Sequence, residues 1–392
     1  MTIVAPVERF DRQFADDLAI ALRDILSIEK LRTKVAGELD ALLSDPRFAD
    51  PARLLFAGSG DSLFAARSAL PALRRWTGLP MEVMTALEFA RYEVPLLETG
   101  DVLVAVSNSG NSSRTRESLV LAKDRGIPTL GITGSLDGAL AKLAERVIHR
   151  PVGRCDGLDP DYARVFLNMA EYLASLYTLY ALGLELGVRR GRITPQVKTE
   201  WYSTIEAAIA YAQPIARATE PVAAALAQDL ADADTIWTIG AGPNRGTAEY
   251  CAAKFHEQNP VNGIAQDLEE WAHLQYFLTL SWKSRSVVMV LAPPGNALDR
   301  AEELVCGIAD AGGRAIVLAH PAHGNFAKAA ARFDLDVEVP ELVTPVLYHI
   351  PIQLLVLHLA LLSRATQIPL KRADDYWLIR KGLVLDGAEE LE

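Results

Sequence analysis

Leu54–Gly60 reads LLFAGSG, and Ile236–Gly242, far downstream, reads IWTIGAG. Each is a short apolar run closed by spaced glycines. Such a run fits a strand buried on both faces, and the glycines fit a tight turn into a helix. The pattern recurs. Asp101–Gly110 (DVLVAVSNSG) is matched by Ser286–Gly295 (SVVMVLAPPG) at almost the same offset. Gly126, which leads into TLGITG, is matched by Gly312, which leads into AIVLAH, again at almost that offset. Three strand-like runs at a nearly constant offset imply two copies of one α/β lobe.

Within each copy, apolar runs alternate with amphipathic stretches. Ser113–Arg125 sets Leu119, Val120 and Ala122 among charges, and Leu298–Ala311 does the same around Ala301, Leu304 and Ile308. Strands separated by helices predict a parallel sheet covered on both faces. Each copy closes on a long apolar helix, about Tyr162–Leu186 and Val346–Arg364. The expected organisation is a helical segment over 1–45, lobes over 46–190 and 200–370, and a charged tail over 371–392. The two lobes should be related by an approximate twofold axis. The apolar helices carry more surface than one lobe can bury, which predicts packing between lobes or subunits and a homodimer.

The chain has 392 residues, half of them hydrophobic, with 39 Lys+Arg against 50 Asp+Glu and a net charge of −11. That excludes a disordered chain and argues against nucleic acid as a partner. Cys155, Cys251 and Cys306 are odd in number and widely spaced, so no disulfide framework is expected. The start has no signal-peptide core. Pro345–Leu362 is apolar but is interrupted by Pro351, His349, Gln353 and His358, a better buried helix than a membrane span. Without a targeting signal or a span, the expected compartment is the cytoplasm. No cofactor is expected, and no metal: His320 and His323 are the one close histidine pair, in a loop.

The run Val102–Val106 passes directly into Ser107-Asn108-Ser109-Gly110-Asn111-Ser112-Ser113 before a helix. This loop aims hydroxyls and backbone N–H groups at one point, beside the positive end of the helix dipole. It can hold a phosphate without a lysine. Gly58-Ser59-Gly60-Asp61-Ser62 makes a similar turn one strand earlier. A serine before a helix can also simply cap it.

GSGDSLFAA, VAVSNSGNSSRT and AKDRGIPTLGITG together resemble the sugar isomerase (SIS) domain family. The family's usual second loop is Ser-Gln-Ser-Gly-Glu-Thr; here it is Ser107-Asn108-Ser109-Gly110-Asn111-Ser112. The resemblance spans roughly residues 50–370 as a tandem pair of SIS lobes. It is strongest to the isomerase half of glutamine–fructose-6-phosphate aminotransferase and its stand-alone deaminase and deglycase relatives. It implies that Ser62, Ser107, Asn108, Ser109 and Ser112 contact a sugar phosphate or a similar anionic sugar. The family's Lys-Leu-Lys-Glu segment matches Lys254-Phe255-His256-Glu257, and its Glu-Leu-Lys-His matches Glu270-Trp271-Ala272-His273. The resemblance thus implies Glu257 as the base that moves a proton between C1 and C2. It implies His273 as the group that opens the ring. Tyr250, Lys254 and Glu257 share a helix face by spacing; Lys254, one turn from the base, is a third catalytic candidate, placed to oppose a raised Glu257 pKa or to pair with the substrate.

The chemistry stands without the family. Moving a carbonyl between C1 and C2 needs one carboxylate to take and return a carbon-bound proton, and a second group to handle the oxygens. The departures are equally specific. The stretch before the first lobe is short, so no glutaminase domain is expected. The family's C-terminal catalytic lysine has only Lys371 as a candidate. The expected function is an aldose–ketose isomerase or an amino-sugar-phosphate deaminase or deglycase. The alternative is a sugar-phosphate-binding regulator without turnover.

Overall fold

A computed structural model describes residues 14–153, 163–259 and 261–363. The first lobe carries β1 (Arg53–Gly58), β2 (Met81–Thr85), β3 (Asp101–Ser107), β4 (Thr129–Thr133) and β5 (Arg146–His149). They form one parallel sheet in the order β2-β1-β3-β4-β5. The second lobe carries β6 (Thr235–Gly240), β7 (Asn262–Asp267), β8 (Val287–Ala292), β9 (Arg314–Ala319) and β10 (Ala331–Asp334). Its order, β7-β6-β8-β9-β10, is the same and every pairing is again parallel. The repeat read from the sequence is therefore a repeat of topology.

The central strands are apolar because both their faces are covered. Alternate residues of β3 go to opposite cores: Val102, Val104 and Val106 to one, Leu103 and Ala105 to the other. In β8, Val287, Met289 and Leu291 face one way and Val288, Val290 and Ala292 the other. The first core of each set is common to both lobes, while the outer faces have separate cores. One continuous apolar interior thus joins the two sheets.

The lobes meet through equivalent helices, Asp61–Thr77 and Pro243–Gln258. Phe64 contacts Gly246, and Arg67 contacts Glu249; each pair joins a position to its own counterpart in the repeat. A Cβ on Gly246 would lie 2.5 Å from the Phe64 carbonyl oxygen, and Arg67 Nη1 lies 2.8 Å from Glu249 Oε2. Positions that touch their own counterparts lie on a twofold axis. The pseudo-twofold therefore passes between these helices, and the helices can close only because residue 246 has no side chain.

Glu220, on the helix Ala212–Asp229, accepts the N–H groups of Phe14 and Ala15 at 2.7 and 2.9 Å, tying the N-terminal helix to the second lobe. The long apolar helices run over Ala163–Arg189 and, after a short turn at Pro345–Tyr348, over Ile350–Ser363. The window Pro345–Leu362 is long and apolar enough to cross a membrane, but 89% of it is buried within the chain. Of the two destinations expected for this apolar surface, the chain's own interior takes it, and little is left for a contact between subunits. Cys251 is buried and Cys306 half-buried, both as free thiols. Cys155, Tyr162, Lys371 and the 371–392 tail lie outside the described residues.

Candidate active site between the lobes

The two turns noted in the sequence leave neighbouring strands. Gly58 of β1 pairs with Val106 of β3, so Ser59–Ser62 and Ser107–Ser112 start side by side. The helices after β1 and β3 pack on opposite faces of the sheet, through Ala65 and Ala69 in one core and Leu119 and Ala122 in another. The strand order reverses here, which opens a crevice at the carboxyl ends of the strands. Gly60 makes the turn with φ 57° and ψ −136°, and its counterpart Gly242 has φ 53° and ψ −127°. A side chain would be strained at either.

Ser62 and Ser107 are buried, Asn108 and Ser112 half-buried, and Ser109 exposed. Ser112 occupies the N-cap of the helix Ser113–Asp124, but its side chain caps nothing. Instead its oxygen accepts a long hydrogen bond from the Ser107 hydroxyl at 3.5 Å. Ser109 Oγ accepts from the Asn111 N–H at 3.3 Å. The Asn108 carbonyl accepts from Gly134 N–H and the Thr133 hydroxyl, which fixes the loop, while Asn108 Oδ1 is buried with no hydrogen-bond partner. The loop is held through the Asn108 carbonyl, and its three serine hydroxyls cluster within it.

The second lobe differs at the same place. Its equivalent loop, Ala292–Ala297, has no hydroxyl side chain. The Glu341 carboxylate accepts the Asn296 N–H at 3.2 Å and lies against Gly295 and close to Gly242. An internal carboxylate thus lies at the second switch point.

Lys254 projects from the Pro243–Gln258 helix across the lobe boundary. Its ammonium is fully buried and donates to Asp61 Oδ2 and Glu257 Oε2, both at 2.7 Å. It also lies 4.8 Å from the Tyr250 ring centroid. Tyr250 stacks on Tyr172 at 3.9 Å, and Tyr172 shares a 3.0 Å hydrogen bond with Ser68. Burial works against the lysine's charge, but Asp61 and Glu257 outweigh it and hold its pKa above the ordinary lysine value. Lys254 is therefore a fixed cation at neutral pH, not a base. Glu257 keeps 44% of its side chain exposed, with Oε2 anchored by Lys254.

His273 ends the helix Leu268–His273, whose N-terminus is capped by Asp267 through the Glu269 N–H at 2.9 Å. Its side chain is 68% exposed, with Nε2 3.3 Å from Glu269 Oε1. The structure brings Lys254 and Glu257 together and leaves His273 outside their ion pair. His256 is exposed on the other side of its helix.

Sequence reasoning missed two members. Asp61 lies inside the quoted GSGDS turn, and an acid beside an anion loop is the signal that could have exposed it. Arg150 follows β5 and is buried, donating to the Glu171 carbonyl at 3.3 Å. Burial lowers its pKa to about 10, against the favourable charges of Glu171 and Asp61. Nothing in the local sequence marks it.

Residues 47–181 match the family model described as the SIS domain. The first lobe is an SIS domain. Glutamine–fructose-6-phosphate aminotransferase of Gloeobacter violaceus is 27% identical over 327 residues, which is 83% of this chain and 51% of that protein. The chain thus spans about half the length of the curated relatives it matches. Among solved structures, the C-terminal domain of the Francisella tularensis glucosamine-fructose-6-phosphate aminotransferase superposes with a TM-score of 0.71 at 18% identity, covering 86% of this chain and 95% of that one. Tagatose-6-phosphate ketose/aldose isomerase from Escherichia coli superposes with a TM-score of 0.62 at 16% identity, covering 93% and 97%. These share the two-lobed fold. Two surface clefts lie elsewhere, one beside Ser44 and Arg190, the other between Arg32 and Tyr202. In the second, Arg32, Lys198 and the tyrosines are already satisfied by Glu206 and Glu185, so the SIS crevice is the better candidate.

Proposed function

We propose that this chain is a cytoplasmic enzyme that moves a proton between C1 and C2 of a phosphorylated sugar or amino sugar. The outcome is aldose–ketose isomerisation, or loss of the amine as in a deaminase or deglycase. The Lys254 ion pair carries the reading: it fixes Glu257 of one lobe to Asp61 of the other, next to the hydroxyl-lined turn of the SIS domain. In this reading Ser62, Ser107, Asn108, Ser109 and Ser112 hold the phosphate, with the dipole of the Ser113–Asp124 helix behind them. Glu257 takes the carbon-bound proton, while Lys254 holds its Oε2 in place. His273 acts on the sugar oxygens. The names of the relatives agree with this reaction class, and the internal Glu341 explains why one phosphate site suffices for two lobes.

The exposure of His273 favours a second reading, a phosphosugar-binding regulator with no acid to work beside Glu257. Exchange of the substrate C2 proton with D₂O separates the two. A panel of hexose and hexosamine 6-phosphates should yield one that exchanges with wild type. Glu257→Gln should then lose about 10²–10⁴-fold in kcat while binding is kept. Exchange at the wild-type rate in that variant would remove Glu257 from the mechanism. Binding without exchange across the panel would support the regulator.

A further inference from the structure

Outside the crevice, two imidazoles and two carboxylates converge at the end of the second sheet. His320 follows β9 directly, and Asp336 and Glu338 lie on the segment that leaves β10. His323 Nε2 is 2.8 Å from Glu338 Oε1, and His320 Nε2 is 3.5 Å from the same oxygen. Asp336 Oδ1 is 3.6 Å from His320 Nε2. One ligand atom each from His320, His323 and Glu338 lies within 4.8 Å of the others. We propose that these residues form a site for a borderline divalent cation, zinc first, with Asp336 or water completing the shell.

The donor set argues the metal. Two imidazoles with carboxylates suit zinc and its neighbours, whereas magnesium and calcium require oxygen. Tetrahedral ligands about 2.0 Å from zinc stand about 3.3 Å apart. The two histidine–glutamate separations already bracket that value, and only the His320–His323 pair must close. The movable members are the exposed ones: the Glu338 side chain is 68% exposed and His323 41%, while His320 is buried. The nearby cation Arg332 is engaged with Asp334 and the His320 carbonyl, so it does not compete for Glu338.

Binding has a stated consequence. His320 Nδ1 accepts the Ala322 N–H at 3.1 Å, so in the neutral ring Nε2 carries the proton and points at the acids. Metal at Nε2 would displace that proton onto Nδ1 and break the Ala322 contact, at the loss of one neutral hydrogen bond. Zinc uptake should therefore remodel the 320–323 turn. β10 is an edge strand paired only with β9. An ion shared by His320 and Glu338 would staple the end of β9 to the chain leaving that edge.

The full-length protein, stripped with chelator, is titrated with zinc chloride by calorimetry and by thermal melting. Expected is one equivalent bound and a raised melting temperature, with no rise from magnesium chloride. His323→Asn and Glu338→Gln are surface changes that should keep the fold, and each should weaken zinc by at least about tenfold. Their combination should remove the shift. Cobalt substitution should give visible absorption in wild type that the double variant lacks. Equal zinc affinity in wild type and double variant, or no zinc-dependent shift in wild type, would overturn the proposal.

Discussion

At the residue scale, two of the buried basic groups meet burial in opposite ways. Lys254 stays charged because Asp61 and Glu257 accept from it. Its raised pKa places the loss of that pairing at alkaline pH, above the ordinary lysine value, so it contributes in full at neutrality. His349 stays neutral. It is buried against the stacked Tyr172 and Tyr250 rings, steeply inclined to both. Burial lowers its pKa to about 3, with the nearby Val346 backbone opposing only in part. The unfolded chain binds a proton near pH 6.5 and the folded chain does not until about pH 3. Stability should therefore fall as pH drops through that window, by at most about 1.4 kcal/mol per pH unit from this group. Urea melts of wild type and His349→Leu at pH 7 and pH 4.5 check this. The variant should show the shallower acid loss, and identical slopes would remove His349 as the cause.

At the element scale, the Asp61–Thr77 and Pro243–Gln258 helices fix the site, because Asp61 and Lys254 meet only when these helices touch. A Cβ on Gly246 would come within 2.6 Å of the Ser68 backbone nitrogen as well as meeting the Phe64 carbonyl. Backbone cannot step aside as a flexible side chain can. Gly246→Ala should cost at least about 1–3 kcal/mol and lower kcat through the Asp61–Lys254 contact. Gly307 in the helix Leu298–Asp310 has nothing within 4 Å of an added Cβ, so Gly307→Ala should gain about 0.5–1 kcal/mol. Paired melting curves and steady-state rates test both; a neutral Gly246→Ala would show that the helices can part without loss. Strands and their repeat were legible in the sequence because burial on both faces leaves an unbroken apolar run. The Lys254–Glu257 face was readable from helical spacing. The partner Asp61 was not, because its contact with Lys254 joins distant parts of the chain and arises only from helix crossing. Arg150 and Glu341 were hidden for the same reason.

At the scale of the whole molecule, the long apolar helices give no reason for a dimer, since they are consumed inside the chain. Two exposed apolar stretches give a different ground on which to expect one. Leu274, Phe277, Leu278 and Leu280 are exposed after β7, with Phe277 at 66%. Leu87, Tyr92 and Leu96 are exposed after β2, with Tyr92 at 69%. β2 and β7 are counterparts, so the two apolar stretches occupy equivalent places on the two lobes. Paired patches of this kind fit an isologous contact with a second copy. His273 directly precedes Leu274, so the same contact would enclose the exposed imidazole and bring it into a drier setting. Sedimentation velocity at micromolar concentration should therefore give twice the chain mass. Phe277→Glu should shift it toward the single chain and reduce turnover, while Lys328→Glu on the far surface should do neither. A wild-type protein that sediments as one chain and turns over at full rate would show that each copy works alone and that His273 acts, if at all, from solvent.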